Sequence, residues 1–358
     1  MDRAAITMEG LLPAKRLLPS RCAEQAADSG VGAGIGKHCH RRPAIVPPMI
    51  GAANASTWRT ASSSNPRRFT ADGSPGDLPR WACRWVERAA SRTERLSLEL
   101  TRTDRSRDGL GLRSLVLHGA LHLSPEDFEA QATRAYLALL EGLDGHSIVR
   151  VWNFVPGITE RIDAGRNRYM AFNAARFSVL CDATRGRPTA FPVASGVGHS
   201  GSDLVLHLLH GAVLVVPFAN PRQRAPERYS VRYGKRPPLF TRAALVTLPA
   251  RERWLVVAGT ASVVDEDSTH ASDFEAQLGE TLANLESLVA EISRTSDISI
   301  RPEGLANWLA YIAEPRHEPS LRAALMARGL AVAGVEIRSQ DLCREELLVE
   351  IECAGRID

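Results

Sequence analysis

Two stretches of the chain that begin with the same five letters space their apolar residues at three and four. DFEAQATRAYLALLEGL starts at Asp127 and DFEAQLGETLANLESLV at Asp273. Phe128, Ala132, Ala135, Leu139 and Leu143 fall on one helical face of the first, and Phe274, Leu278, Leu282, Leu285 and Leu288 on one face of the second. Both predict amphipathic helices, and Ser124 followed by Pro125 supplies an N-cap and first-turn pair for the first. Each is preceded by a strand-like run carrying a glycine, SLVLHGALHL around Gly119 and WLVVAGTASVV around Gly259. The repeated order of strand, glycine and helix predicts two structurally related α+β halves. Near the C-terminus, Leu347, Val349 and Ile351 alternate with Leu348, Glu350 and Glu352, which predicts a strand with one apolar and one largely acidic face.

The first half continues through IVRVWNFVPG, RYMAFNAARFSVL, AFPVAS and DLVLHLLHGAVLVVPF. Residues 219–240, ANPRQRAPERYSVRYGKRPPLF, form a long, basic, proline-rich segment that either joins the halves or lines a site. Residues 1–80 are rich in Arg, Ser, Ala, Gly and Pro without sustained periodicity. Such a segment cannot bury enough apolar surface to offset its ordering entropy, so a disordered extension is expected there. The two halves are then placed at 81–224 and 225–358, with most of the active site on the second.

At 358 residues the chain is long enough for two domains of ordinary size. A net charge of +3 with mixed signs does not mark a nucleic-acid binder, although an arginine cluster can still steer a small anion. No apolar run reaches the length of roughly 18 residues that a membrane span needs, and the N-terminus lacks the compact apolar core of a secretory signal. No membrane partner and a cytoplasmic location are the expectation. The six cysteines form no CxxC pair, so free thiols are expected.

Several motifs fail on inspection. GVGHSG is a formal GxGxxG, but strand-like DLVLHLLHG follows it instead of a helix, and no acidic residue stands about 20 residues on. GHSGS lacks the last glycine of a nucleophile elbow, and GAGIGKH lacks the leading glycine and the Ser/Thr of a phosphate loop. His38, Cys39 and His40 are too close together to wrap one zinc, and His207 and His210 fall on a strand without a partner cluster, so no metal is expected.

Other features carry chemistry. The basic segment gathers Arg222, Arg224, Arg228, Tyr229, Arg232, Tyr233, Arg236 and, just beyond it, Arg242. Guanidinium forks and phenols so close together suit an anion with carboxylates, although a solvated basic linker would read the same way. In AGTASVV, small residues would let a ligand approach the backbone, with Thr260 and Ser262 as donors; a bulged core strand would also fit. Glu350 points away from the apolar face of its strand, as wet strand glutamates commonly do.

Taken together, RVWNFVPGI, RYMAFNAARF, ASGVGHSG, VPFANPRQ, RYSVRYGKRPPLFTRA, AGTASVV, HASDFEAQLGETLANL and DLCREELLVEIE resemble the chorismatase family over residues 145–353. This family of chorismate lyases and 3-hydroxybenzoate synthases was formerly called pteridine-dependent deoxygenases. The resemblance implies two fused halves of the enamine/imine deaminase (RidA/YjgF-like) type, each a mixed β-sheet with helices packed on one side, a monomer in preference to a trimer, and no cofactor. It implies cleavage of the enolpyruvyl ether of chorismate to pyruvate and 3-hydroxybenzoate, alone or with 4-hydroxybenzoate. Glu350 matches the family's acid, which would protonate the enolpyruvyl methylene. Tyr229, Arg232, Tyr233 and Arg242 would grip the dicarboxylate, Gly259, Thr260, Ala261 and Ser262 would form the GTAS wall of the site, and Tyr311 would also contact the substrate. By the same resemblance, Cys343 and Gly259 accompany members with an aromatic product, whereas a small apolar residue in place of the cysteine accompanies hydrolysis to a dihydrodiol. Two departures stand out. Tyr311, Ile312 and Ala313 occupy a strand expected to read Tyr-Val-Arg, and Asp265 and Glu266 replace an expected Gly-His. A changed substrate, or a catalytically silent small-molecule-binding member of the fold, is the alternative these departures raise.

Overall fold

The computed structural model describes residues 77–357 apart from 88, 297, 301–304 and 331. The expected disordered extension lies, as far as residue 76, outside the described residues, as do Cys22, Cys39 and the two histidines beside it. The first described element is a short helix, α1 (Arg80–Trp85).

Strands β1 (Ser91–Arg95), β2 (Leu100–Arg107) and β3 (Leu110–Leu117) form an antiparallel meander. Helix α2 (Pro125–Leu140), β4 (Ser147–Pro156), helix α3 (Arg168–Thr184), β5 (Val193–His199) and β6 (Leu204–Gly211) follow. The sheet order is β1-β2-β3-β6-β4-β5, in which β4 and β5 are parallel. A parallel pair needs a crossover, and α3 supplies it.

The second sheet repeats this plan. Its meander is β7 (Leu214–Phe218), β8 (Ala243–Thr247) and β9 (Arg253–Ala261), after which the small hairpin β10 (Val263–Val264) and β11 (Asp267–Ser268) leads to helix α4 (Phe274–Thr295). Then come β12 (Trp308–Ile312), helix α5 (Glu318–Ala327), β13 (Glu336–Ser339) and β14 (Val349–Ile357). Read from its meander, the order is β7-β8-β9-β14-β12-β13, again with one parallel pair, β12 and β13. The five-letter echo thus marks equivalent helices, α2 and α4, of two halves with one topology.

Local chemistry explains the helix boundaries. Ser124 accepts a hydrogen bond from Asp127 N and Pro125 opens α2, while Asp273 caps α4 by accepting from Ala276 N. The predicted faces are the buried ones, except that Leu143 lies beyond the end of α2, where Gly142 turns the chain at φ 68°. Gly119 is likewise a left-handed turn residue, at φ 66°, that follows β3 instead of lying in it. Polypeptide passes from the first sheet to the second at residues 212–213, ahead of the boundary expected at 224/225. The apolar run LVLHLLHGAVLVVPF is two strands of different sheets.

One apolar cluster packs α4 and α5 on the second sheet, through Leu278, Leu285, Leu321 and Leu325 against Val257, Ala310, Val349 and Ile351. Another joins the two sheets: Trp152, Phe154, Val193 and Val197 of the first meet Val256, Ala258, Leu309 and Tyr311 of the second. Burial of each large apolar side chain contributes about 1.5–3 kcal/mol, so this inter-sheet cluster holds the halves together without a covalent link beyond the chain itself. Trp81 of α1 belongs to it and packs on Trp152 with ring centroids 5.6 Å apart. Among the described residues no helix is long and apolar enough to cross a membrane.

Candidate active site

The sheets do not merely abut; β4, β5 and the residue ahead of β5 in the first bond to β9 and to the stretch leading into β8 in the second. Thr241 N donates to Pro192 O at 2.8 Å, Gly259 N to Ser195 Oγ at 2.9 Å and Arg150 Nη1 to Val257 O at 2.8 Å. Beside this junction lies a cavity of about 270 Å³, close to the size of sites that hold one small metabolite.

Its floor depends on an irregularity of β9. Cys353 pairs with Val257 and Ile351 with Thr260, so Ala258 and Gly259 together oppose the single residue Glu352. This is a β-bulge, and it reverses the phase of the strand. Val256 and Ala258 face the inter-sheet core on one side of the bulge, and beyond it Gly259 and Ala261 face the cavity. Thr260 is turned away, fully buried, its Oγ1 donating to Ala258 O at 3.1 Å. Ser262 is also fully buried and bonds to Thr269. Neither hydroxyl lines the cavity, contrary to their expected part in its wall. A Cβ at position 259 would overlap the Glu350 carboxyl and come within 2.9 Å of Ser195 Oγ, so glycine is what lets the carboxyl rest against this strand.

Glu350 sits on β14 opposite Ala261, only 4% exposed, with its carboxyl in the cavity. Burial, reinforced by the neighbouring Glu352, pushes its pKa up to about 8 against the opposing pull of Arg150 and Arg242. It is therefore a neutral acid at pH 7. The strand is presented by α4: Gln277 donates to Glu346 O at 2.6 Å and accepts from Leu348 N at 2.8 Å, and Asn284 Nδ2 donates to Ala261 O and Val263 O, each at 3.0 Å. These side chains satisfy backbone groups that the irregular strand ends would leave buried and unpaired.

Cys343 lines the same cavity from the loop before β14, which Gly198 N fixes by donating to Asp341 O at 2.7 Å. Burial, and then the nearby Glu350, push the thiol up to about 12, so it is neutral. GVGHSG, a failed dinucleotide motif, is strand β5 and its turn: Gly198 and Gly196 let Asp341 and Tyr169 approach.

The basic segment closes the cavity with short 3₁₀ turns at Pro226–Arg228 and Val231–Tyr233. Tyr229, Arg232, Tyr233 and Arg242 all line it. Their guanidinium groups differ in availability. Arg232 Nη2 is paired with Glu266 at 3.3 Å and with Asp267. Arg242 is buried, donates to Tyr229 Oη at 2.7 Å, and keeps an Nε without a partner among the described residues. Asp265 and Glu266, the unexpected acids, anchor the segment. Arg224 pairs with both, and Glu266 accepts from Ser230 N at 2.7 Å. Although burial works against its charge, the Ser230 N–H and the nearby arginines hold Glu266 below the usual carboxylate range.

Tyr311 does not reach the cavity. It lies fully buried on β12 in register with Glu350, behind the cavity wall. Ala313 follows β12, its N–H bonded to Leu348 O at 3.0 Å. One arginine was not expected. Arg176 of α3 is 2% exposed, lines the cavity, donates through Nε to Asn173 Oδ1 at 3.0 Å, and has an Nη1 without a partner among the described residues. A buried guanidinium with an unspent donor is costly unless an anion completes it.

Residues 105–210 match the family model described as chorismatase FkbO/Hyg5-like, N-terminal. A 3-hydroxybenzoate synthase of Streptomyces hygroscopicus is 30% identical over 237 residues, which cover 62% of this chain and 68% of that protein. The chain belongs to the chorismatase family. A chorismatase of Streptomyces rapamycinicus is 30% identical over 211 residues, covering 58% of this chain and 63% of that protein. Among solved structures, a crystal structure of a chorismatase superposes with a TM-score of 0.64 at 23% identity, over 75% of this chain and 80% of that one. That likeness shows the chorismatase fold, and it extends the resemblance from local motifs to the arrangement of both sheets.

Proposed function

We propose that the protein cleaves chorismate to pyruvate and 3-hydroxybenzoate, with no cofactor, as a cytoplasmic monomer. The observation that carries this reading is Glu350: a buried carboxylic acid kept neutral at pH 7 in a cavity that also holds under-bonded arginines. Chorismate brings two carboxylates, and Arg242 and Arg176 offer donors for them. Arg176 would thereby supply from α3 a charge that Ala313 does not supply from β12.

Glu350 delivers its proton to the enolpyruvyl methylene carbon; water adds to the resulting oxocarbenium, releasing a proton to solvent, and the hemiketal breaks down to pyruvate and the ring diol. The carboxylate left behind is the base available for the ring steps. Cleavage by water consumes one water and aromatisation releases one, so chorismate, pyruvate and 3-hydroxybenzoate balance without an oxidant. Cys343, as a neutral thiol, can act on the ring as a nucleophile once the Glu350 carboxylate accepts its proton. The thiolate adds to the ring as the C4 hydroxyl, protonated by Glu350, leaves as water; the regenerated carboxylate then takes the C3 proton, that electron pair completes the aromatic ring as the carbon–sulfur bond breaks, and the expelled thiolate is reprotonated from solvent.

Glu350→Gln preserves shape and removes the proton. Pyruvate release should fall by a factor of about 10²–10⁴, while chorismate should still raise the melting temperature. A variant with full activity would remove Glu350 as the acid; wild type that is stabilised by chorismate and leaves it intact would mark a silent binding protein.

A further inference from the structure

Behind Glu350 the sheet junction buries a second carboxylate that the reaction above does not use. Glu352 lies two residues along β14, on the same face, 2% exposed. Its Oε2 accepts from Arg150 Nη2 and from Ser195 Oγ, each at 2.6 Å, and its Oε1 accepts from Trp152 Nε1 at 2.8 Å. Arg150 is fully buried over the Trp152 ring. Ser195 Oγ also accepts from Arg150 Nη2 at 2.5 Å and from Gly259 N at 2.9 Å. All three partners belong to β4 and β5 of the first sheet, and the carboxylate to the second.

Stability does not explain this arrangement, because a buried ion pair generally gains little over apolar residues of the same volume, and apolar residues fill the rest of the junction. Placement does. Ser195 ties the Glu352 carboxylate to the N–H of Gly259, the residue against which the Glu350 carboxyl rests. We propose that Glu352, held by Arg150, Trp152 and Ser195, is the positioning residue for Glu350: through Ser195 it fixes the bulge that seats the acid, and it keeps an anion behind it. The inference rests on the reading of Glu350 as the proton donor.

The groups that face Glu350 are Glu352 on its own strand, Arg150 of β4, Arg242 before β8, Cys343, Tyr169 of α3 and Tyr311 of β12. Burial raises the thiol and both phenols, so these three are neutral. Glu352 is the one charge among them that opposes ionisation of Glu350. Loss of that anion makes Glu350 ionise at lower pH.

The test is a ¹³C carboxyl NMR titration of the full chain, with the Glu350 signal assigned by its disappearance in Glu350→Gln, alongside the pH profile of pyruvate release. In Glu352→Gln the Glu350 midpoint should fall by about one pH unit or more, and the basic limb of kcat should move with it. A midpoint unchanged within a few tenths of a unit overturns the proposal. Should Glu352→Gln fail to fold with Arg150 unpaired, Ser195→Ala keeps the ion pair and cuts the tie to Gly259 N; its kcat for pyruvate should fall about tenfold or more with KM within about twofold of wild type, and a wild-type kcat overturns the proposal. Absence of pyruvate from wild type would overturn the reaction instead, leaving the titration to decide the role of Glu352.

Discussion

Cys343 and Glu350 share one cavity in complementary states, a neutral thiol beside a neutral acid. The proton transfer that starts cleavage also creates the base the thiol needs, so the order of steps follows from the two groups themselves. Cys343→Ala should leave pyruvate release within about tenfold of wild type, since the general acid is untouched, and should redirect the ring product from 3-hydroxybenzoate to the dihydrodiol. Chromatography of the ring products checks this, and an unchanged product ratio would reduce the thiol to packing. At this scale the sequence was informative where alternation was regular: Glu350 stood out as a carboxylate on a well-formed strand. Arg176 did not, because within RYMAFNAARF nothing distinguishes an arginine turned into a cavity from one at the surface. The polar pair Asn173 and Arg176, one turn apart on a helix with much apolar surface, was the available signal.

The bulge in β9 explains why GTAS was only half legible. Continuing the strict alternation of Val256 and Ala258 would put Thr260 and Ser262 toward the cavity; the extra residue turns them away and brings Gly259 and Ala261 in. No residue type announces a bulge, and its effect on every later side chain is a full reversal of face. Gly259→Ala should therefore act twice. Overpacking against Glu350 and Ser195 should cost about 1–3 kcal/mol in denaturant unfolding, and displacement of the acid should lower pyruvate release at least tenfold. Wild-type stability and activity in this variant would show that the Glu350 carboxyl has another place to rest. Helical periodicity was more reliable because α2 and α4 each bury a single stripe, whereas the crossing between sheets at 212–213 was hidden by apolar strands on both sides.

Two halves of one topology are made unequal by where charge is buried. Charged and polar groups at their junction are retained at some expense in stability, and the expense depends on pH. Glu350 titrates at about 8 in the folded chain and near 4.5 unfolded, so the folded state binds the extra proton between those values. Its contribution is fully present below pH 4.5 and is lost as pH rises through 8, at up to about 1.4 kcal/mol per pH unit. Burial, and then the nearby Arg113 and the stacked His146, push His210 down to about 4 against 6.5 unfolded, and its contribution is lost as pH falls from 6.5 towards 4. His199, which burial also lowers, acts in the same direction, and the opposing slope of both histidines fades only as the unfolded imidazoles lose their protons above pH 6.5. Unfolding free energies of wild type should fall from about pH 7 to 8, and Glu350→Gln should flatten that fall; parallel curves would mean that Glu350 is not held protonated. The fold itself was legible as a duplication because a five-letter echo sat at equivalent helices, but the cavity between the halves was not, since no single segment of sequence contains it.

The most direct test of the central claim is incubation of the purified protein with chorismate and no added cofactor, with pyruvate and the ring products resolved by liquid chromatography. The structure and its relatives lead us to expect pyruvate and 3-hydroxybenzoate in equal amounts. Intact chorismate, or pyruvate with the dihydrodiol alone, would contradict the account.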